Sequence, residues 1–235
     1  AVTVTAVVDT PSFTVTNTAS GNEDIPITLV VSSSLVDTDG SEVLTFEVTG
    51  VPTGATLNNG TDAGAGVWNL AATDISGLTI LNKIHDDSDF SINISVTSTD
   101  NDSSAVTVGP ETIAITILAV ADAPIISVTN SVTRDEDANP FPLTIAGDLV
   151  DTDGSETLTY QITGLINTAT LSAGTDIGGG VWSLTEAQAE SGLSITMDAH
   201  VADDFQIDVR ALATEARDGT TQFSATGSGR INIFI

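Results

Sequence analysis

The chain lacks cysteine, so a disulfide cannot stabilise it as in many secreted domains, and bound metal is the other common means. Aromatic residues make up only 4% of the chain and hydrophobic residues 40%, so any core must consist mainly of Val, Ile, Leu and Ala. Such cores favour thin β-sandwiches over large enzyme folds. No apolar run approaches the ~20 residues of a membrane helix, so we expect no membrane insertion.

Basic residues are also scarce, with 5 Lys and Arg against 32 Asp and Glu, which gives a net charge of −27. Nucleic-acid binding needs a basic face, so nucleic acid is not an expected partner. The same charge repels anionic membranes. High acidity is also typical of disorder, but the chain is rich in Val, Ile and Thr in alternating patterns. The composition therefore indicates a folded protein that binds cations.

A repeat organises the chain. The sequence of residues 35–42 recurs unchanged at 149–156, and Gly66-Val67-Trp68 recurs as Gly180-Val181-Trp182, both at an offset of 114. Such self-similarity is the sequence pattern of tandem modules. We expect a first module at residues 11–120 and a second at 121–235. Residues 1–10 resemble the end of the first module, which predicts the tail strand and linker of a preceding module.

Strand-like alternation runs through both modules, with Ile113, Ile115 and Ile117 as a clear example. Period-two alternation places one face of a strand in a core and the other in water. Gly, Asn and Asp clusters separate the runs, so we predict an all-β chain of two tandem antiparallel Greek-key β-sandwiches. Trp68 and Trp182 hold one position in the repeat, which favours core packing. Residues 185–191 are compatible with a short helical turn.

The carboxylates fall in five repeated places at predicted strand ends. Asp-x-Asp in a turn can direct two carboxylates at one ion, and Ca²⁺ binds six to eight oxygens of this kind. Zinc and iron favour His or Cys, and the chain has two His and no Cys. An EF-hand is excluded because no glutamate stands at the twelfth position from Asp37 or Asp151. The alternative is acidic turns in which Asp only caps the backbone.

These residues resemble cadherin-type modules, in the form found in large bacterial adhesins of the RTX type, which are secreted by the type I route. The resemblance covers nearly the whole chain twice. It rests on a first-loop glutamate, an Asp-x-Asp, an acidic motif before the sixth strand, an acid after that strand, and a linker ending in Asp-Ala-Pro. The linker at 119–122 carries fewer acids than the family pattern, and no glycine-rich nonapeptide run of a calcium β-roll is present.

The resemblance implies Ca²⁺ sites at module junctions. The internal junction is expected to use Glu23, Asp87, Asp89, Asp122, Asp151, Asp153 and Glu215. Half of a junction before the first module is expected at Asp9, Asp37, Asp39 and Asp100. Half of a junction after the second module is expected at Glu136, Asp203 and Asp204.

The function implied is that of a calcium-rigidified spacer in an extracellular adhesin on a bacterial cell surface. Its partners are then neighbouring modules and calcium ions. One alternative is a module that binds sugar, peptide or a surface, with Tyr160 and residues 211–229 as candidates. An enzyme is the other alternative, but the acids serve both modules alike and no catalytic motif appears, so no enzymatic activity is expected.

Overall fold

The computed structural model describes residues 7–102, 104–217 and 221–235, and side chains at 216, 217 and 221–225 are also left aside. The chain divides into two compact units, Ala1–Ala119 and Val120–Ile235, which carry the first and the second module. Residues 1–6, which hold most of the predicted tail strand, lie outside the described residues.

Among the described residues, the first module contains eleven strands in three sheets. A six-stranded sheet has the order β2-β11-β10-β5-β8-β7, and smaller sheets pair β1 with β4 and β9 with both β3 and β6. The strands are β1 Ser12–Val15, β2 Thr18–Asn22, β3 Ile27–Thr28, β4 Val31–Ser34, β5 Glu42–Thr49, β6 Thr56–Leu57, β7 Thr61–Gly64, β8 Val67–Ala71, β9 Thr79–Leu81, β10 Phe90–Asp100 and β11 Ala105–Leu118.

The second module repeats this topology strand for strand. Its six-stranded sheet has the order β13-β22-β21-β16-β19-β18, and its smaller sheets pair β12 with β15 and β20 with both β14 and β17. The strands are β12 Ile125–Val128, β13 Ser131–Thr133, β14 Phe141–Pro142, β15 Ile145–Asp148, β16 Glu156–Thr163, β17 Ala169–Leu171, β18 Thr175–Gly178, β19 Val181–Thr185, β20 Ser194–Met197, β21 Phe205–Arg217 and β22 Thr221–Phe234.

The predicted all-β sandwich fold is confirmed. In each module the small and large sheets enclose one apolar core, to which Ile27, Phe46, Ile94 and Ile115 contribute in the first. The alternation is regular along β5, where every second residue is buried. The sheets are antiparallel except for one pair per module, since β2 runs parallel to β11 and β13 parallel to β22. The sequence reasoning did not predict these parallel pairs.

Two short helical segments connect β8 to β9 and β19 to β20. Helix α1, Glu186–Glu190, begins after Thr185, whose hydroxyl accepts the Gln188 N–H in a capping box. Its counterpart is a 3₁₀ turn at Ala72–Ile75. No helix of the described residues is long and apolar enough to cross a membrane.

Both tryptophans and the single tyrosine belong to the cores. Trp68 and Trp182 are partly buried and pack against the core of their own module. Tyr160 is completely buried, and its hydroxyl donates to Glu190 Oε1 at 3.0 Å. Burial, together with this hydrogen bond to a carboxylate, raises the pKa of Tyr160. Tyr160 therefore has no surface with which to contact a ligand, which removes one candidate of the ligand-binding alternative.

Candidate metal centres

The predicted acidic residues lie at the two ends of each module. We call the end where β5 or β16 begins the leading end, and the end where β10 or β21 begins the trailing end. Strand β10 has eleven residues, so the two ends of the first module are roughly 30 Å apart. Each module therefore presents two separate acidic regions, and the fold assigns every predicted ligand to one of them.

At the leading end of the first module, Asp100 is the last residue of β10 and stands opposite Glu42, the first residue of β5. Both carboxylates face the interior, with exposed fractions of 4% for Asp100 and 6% for Glu42. The backbone N–H of Asp9 donates to Glu42 Oε1 at 2.6 Å. Glu42 Oε2 is buried and has no hydrogen-bond partner. The segment before β1 is thus tied to an acidic pair inside the module.

The Asp-x-Asp loop closes the same end. Asp37 Oδ1 accepts the Asp39 N–H at 2.9 Å, and Asp39 Oδ1 accepts the Ser41 N–H at 2.8 Å. These are Asx turns, so the capping role considered for such acids is present in this loop. Hydrogen bonds from the Ser41 hydroxyl and N–H lower the pKa of Asp39. One oxygen of each carboxylate is thereby committed to the turn.

The leading end of the second module repeats the arrangement. Glu156 opposes Glu215 in the β16–β21 register, and the exposed fractions are 7% and 0%. The Asp122 N–H donates to Glu156 Oε1 at 2.8 Å, and Glu156 Oε2 is buried without a hydrogen-bond partner. Asp151 is also buried, and its Oδ1 accepts the Asp153 N–H at 2.9 Å.

A serine hydroxyl and the mutual repulsion of the carboxylates also shape the leading end of the second module. The Ser155 hydroxyl lies within hydrogen-bond distance of Asp153 Oδ1 and, at 3.0 Å, of Glu215 Oε2. Burial raises the pKa of Glu156, and the neighbouring Asp151 and Glu215 carboxylates add to the increase, against the lowering effect of the Asp122 N–H. Several carboxylates therefore share a water-poor region in which each disfavours the charge of the others.

The trailing end of the first module holds Glu23, Asp87 and Asp89. Glu23 is buried, and its N–H donates to the Leu118 carbonyl at 2.9 Å at the end of β11. Asp89 Oδ1 accepts the Ile117 N–H at 2.8 Å. Asp87 is half-buried in the loop between β9 and β10. This end thus gathers its acids around the last residues of the last strand.

The trailing end of the second module is more open. Glu136, Asp203 and Asp204 are all exposed, and Asp204 Oδ1 accepts the Ile235 N–H at 2.9 Å. Ligand atoms of Glu136, Asp137 and His200 lie within 4.8 Å of one another. Asp203 and Asp204 thus follow the pattern of Asp87 and Asp89, but with less burial.

The two histidines lie in loops at the trailing ends, one in each module. At each trailing end the histidine and an aspartate both have positive φ, at Asp24 and His85 and again at Asp137 and His200. The His85 N–H donates to Asp24 Oδ1 at 2.8 Å, and the His200 N–H donates to Asp137 Oδ1 at 2.9 Å. The histidines therefore hold the two loops of a trailing end together.

Within each module, the structure brings together the residues predicted for one junction half. The leading ends hold Asp9, Asp37, Asp39 and Asp100 in the first module and Asp122, Asp151, Asp153 and Glu215 in the second. The ligand assignment itself stays a prediction. Sequence reasoning missed Glu42 and Glu156, although the alternation Glu42, Leu44, Phe46 already placed Glu42 on the inward face.

The donor set of the leading ends fits a hard cation. It consists of carboxylate, hydroxyl and backbone oxygens, which Ca²⁺ binds with six to eight ligands in flexible geometry. Zn²⁺ favours His nitrogen or Cys sulfur, whereas the chain has no Cys and its two histidines lie in trailing-end loops. A buried glutamate oxygen without a partner is the kind of group that a bound ion would satisfy.

No protein-family profile and no curated protein matches the chain. Among solved structures, the chain is similar to mouse cadherin-23 EC22–24, with 14% identity over 96% of this chain and 67% of that one, at a TM-score of 0.44. It is also similar to the protocadherin gammaB4 extracellular domain, with 13% identity over 95% of this chain and 31% of that one, at a TM-score of 0.38. A third likeness is to three N-terminal domains of the bacteriophage RB49 outer capsid protein Hoc, with 11% identity over 96% of this chain and 69% of that one, at a TM-score of 0.37.

Proposed function

We propose that the chain is a pair of calcium-rigidified spacer modules from a secreted adhesin on a bacterial cell surface, at residues 11–120 and 121–235. The observation that carries this proposal is the buried carboxylate pair at each leading end, Glu42 with Asp100 and Glu156 with Glu215. The spacers would project a distal binding domain in adhesion or biofilm formation.

The linkers connect the acidic ends along the chain. Leu118 ends β11 beside Glu23, and Asp122, four residues later, donates its N–H to Glu156. A cation bound by acids of both modules would therefore restrain a linker only a few residues long. We expect the metal-free junction to be a flexible hinge, because many carboxylates repel one another and few basic residues offset them.

The free energy by which calcium stabilises the ordered junction depends on the ratio of the calcium concentration to Kd. A cation that binds only the ordered state stabilises it by about 2.7 kcal/mol per site at a hundredfold excess over Kd. Extracellular modules bind Ca²⁺ with Kd of about 10⁻⁴–10⁻³ M. Millimolar extracellular calcium would fill such sites, and the far lower concentration of cytosol would leave them empty. The spacer would thus stiffen only after secretion.

The absence of cysteine allows a direct test of the stiffening. Thr61 and Thr175 are exposed and occupy equivalent edge strands, so Thr61→Cys and Thr175→Cys in one chain accept two spin labels. Pulsed electron paramagnetic resonance then measures the distribution of the distance between modules. We expect a narrow distribution in millimolar Ca²⁺ and a broad one in chelator. Equal widths in the two conditions would contradict the proposal.

Magnesium provides the matched control for ionic strength and charge. Mg²⁺ demands near-octahedral geometry and keeps its water, so it should narrow the distribution much less than Ca²⁺ at equal concentration. Equal narrowing by both ions would indicate general screening of the acidic surface, and the specific calcium role would then be wrong.

A further inference from the structure

We propose that each module binds a calcium ion at its leading end through a buried glutamate that begins the central strand, Glu42 in the first module and Glu156 in the second. Neither residue belongs to the ligand set implied by the sequence resemblance. The inference rests on the proposed function, because it names further ligands for the same leading ends.

The geometry of the carboxyl group is the first argument. Glu42 Oε1 accepts the Asp9 N–H at 2.6 Å, whereas Oε2 is buried and has no hydrogen-bond partner. The two oxygens of Glu156 differ in the same way. Its Oε1 accepts the Asp122 N–H at 2.8 Å, and its Oε2 is buried without a hydrogen-bond partner. An ionised oxygen left buried without a partner is strongly unfavourable. The repetition in two modules makes an accidental side-chain placement a poor explanation.

The opposing strand increases the need for a positive charge. Asp100 stands directly across from Glu42, and Glu215 directly across from Glu156. Like charges in directly opposed positions of a sheet destabilise it, and burial removes the screening that water supplies. A cation between the paired carboxylates would reverse the sign of this interaction.

The chain does not supply that cation from its own side chains in the first module. Lys83 is the single Lys or Arg of this module, and its ammonium group lies 3.9 Å from Asp86 at the trailing end. In the second module, Arg134 lies over the Phe141 ring and Arg230 pairs with Asp208. Arg210 is exposed on the outward face of β21. These four basic groups are therefore committed elsewhere or face solvent, and the side chain of Arg217 lies outside the described part of the chain.

The surroundings favour calcium over other ions. The Asp-x-Asp loop before each glutamate adds carboxylate and backbone oxygens. Calcium accepts such irregular, oxygen-only sets, with ligand distances of about 2.3–2.6 Å. Protonation of the glutamate is a second way to remove the repulsion between the paired carboxylates. If the glutamate is a calcium ligand, removing its charge weakens calcium binding, and if it is merely protonated, removing its charge does not.

The test is a calorimetric titration of the full chain, freed of metal and titrated with CaCl₂. Glu42→Gln and Glu156→Gln retain an oxygen for the linker N–H but place an amide at the position of Oε2. We expect each variant to lose one binding event or to weaken its Kd by about tenfold or more, since ligand charge tunes calcium affinity. A Kd within twofold of the parent chain in both variants would overturn the inference.

Matched controls exclude a general effect of charge. Glu47 lies on the same strand as Glu42 but is exposed, and Glu186 is an exposed glutamate of the second module. Glu47→Gln and Glu186→Gln should leave the calcium Kd within twofold. Weakening by the controls as large as that caused by Glu42→Gln would also overturn the inference.

Thermal unfolding separates binding from folding. In chelator, Glu42→Gln should melt at or above the melting temperature of the parent chain, because it removes a buried charge. Its increase in melting temperature with calcium should be smaller than that of the parent. A lower melting temperature in chelator with an undiminished calcium increase would mean that Glu42 has only a structural role, and would contradict the inference.

The outcomes also distinguish this inference from the proposed function. If calcium narrows the distance between modules while both glutamine variants bind normally, only the inference fails. If the variants lose affinity while calcium leaves the distance distribution broad, only the spacer function fails. If calorimetry detects no calcium binding by the full chain, both fail.

Discussion

Replacing Tyr160 by Phe tests how the second module satisfies its buried polar groups. The Tyr160 hydroxyl donates to Glu190 Oε1 at 3.0 Å, and the same oxygen accepts the Gly147 N–H at 3.1 Å. The substitution Tyr160→Phe removes one hydrogen bond to a carboxylate but leaves Glu190 a second donor. We expect a loss of about 1.5–2 kcal/mol, within the usual range for hydrogen bonds to charged groups.

The first module supplies a natural counterpart. Phe46 occupies the position of Tyr160 in the repeat and is buried in the apolar core of the first module. The reciprocal substitution Phe46→Tyr should therefore destabilise the first module, because it adds a hydroxyl group to an apolar core. The cost of a buried hydroxyl without a partner is about 1–3 kcal/mol.

Tryptophan fluorescence measures each module separately, because each has one tryptophan, Trp68 or Trp182. In a Trp68→Phe background, Tyr160→Phe should lower the melting temperature reported by Trp182 by about 6–8 °C, since the unfolding entropy is about 2.1 cal/mol/K per residue. In a Trp182→Phe background, where Trp68 reports on the first module, Tyr160→Phe should leave the melting temperature of that module unchanged. An unchanged melting temperature of the second module would refute the account of this hydrogen bond.

Three further predictions concern charge, backbone and core. In chelator, burial raises the pKa of Glu156, so this group stabilises the folded chain below its ordinary pKa of 4.5, and that contribution is lost as pH rises through the raised value. The stability of the parent chain relative to Glu156→Gln, measured by chemical denaturation, should therefore fall as the pH rises above 4.5. A difference that does not change with pH would contradict this prediction. Gly66→Ala should lower the melting temperature more than Gly64→Ala, because both have positive φ but only at Gly66 would the new Cβ meet the Val51 carbonyl, at 2.5 Å. Ile94→Ala should cost about 3–4 kcal/mol in denaturant unfolding, because Ile94 is buried in the middle of β10.

The sequence predicted the sandwich fold and the end of the module at which each acid lies. Alternation of apolar and polar residues predicted which face of β5 and of β10 is buried. The sequence repeat showed which acidic loops of the two modules correspond. The parallel pairing of β2 with β11 could not be predicted in this way, because the chain passes from one sheet to the other between Val15 and Thr18, and alternation does not report strand partners.

The buried glutamates were missed for a different reason. The search for metal ligands considered only acids in loops, such as Asp-x-Asp. Glu42 is instead the first residue of the strand that follows the loop. Its burial depends on the register that places it opposite Asp100, which is a contact across 58 residues of sequence. Inward alternation of an acid with core residues was the signal that would have identified Glu42 and Glu156.

The most direct test of the account is an anomalous difference map from a crystal grown in calcium chloride, recorded at a wavelength where calcium scatters anomalously. The account predicts a peak at each leading end, at about 2.3–2.6 Å from Glu42 Oε2 in the first module and from Glu156 Oε2 in the second. Maps with no peak at either glutamate and at none of the predicted aspartates, at millimolar calcium, would contradict the claim that these acidic ends bind calcium.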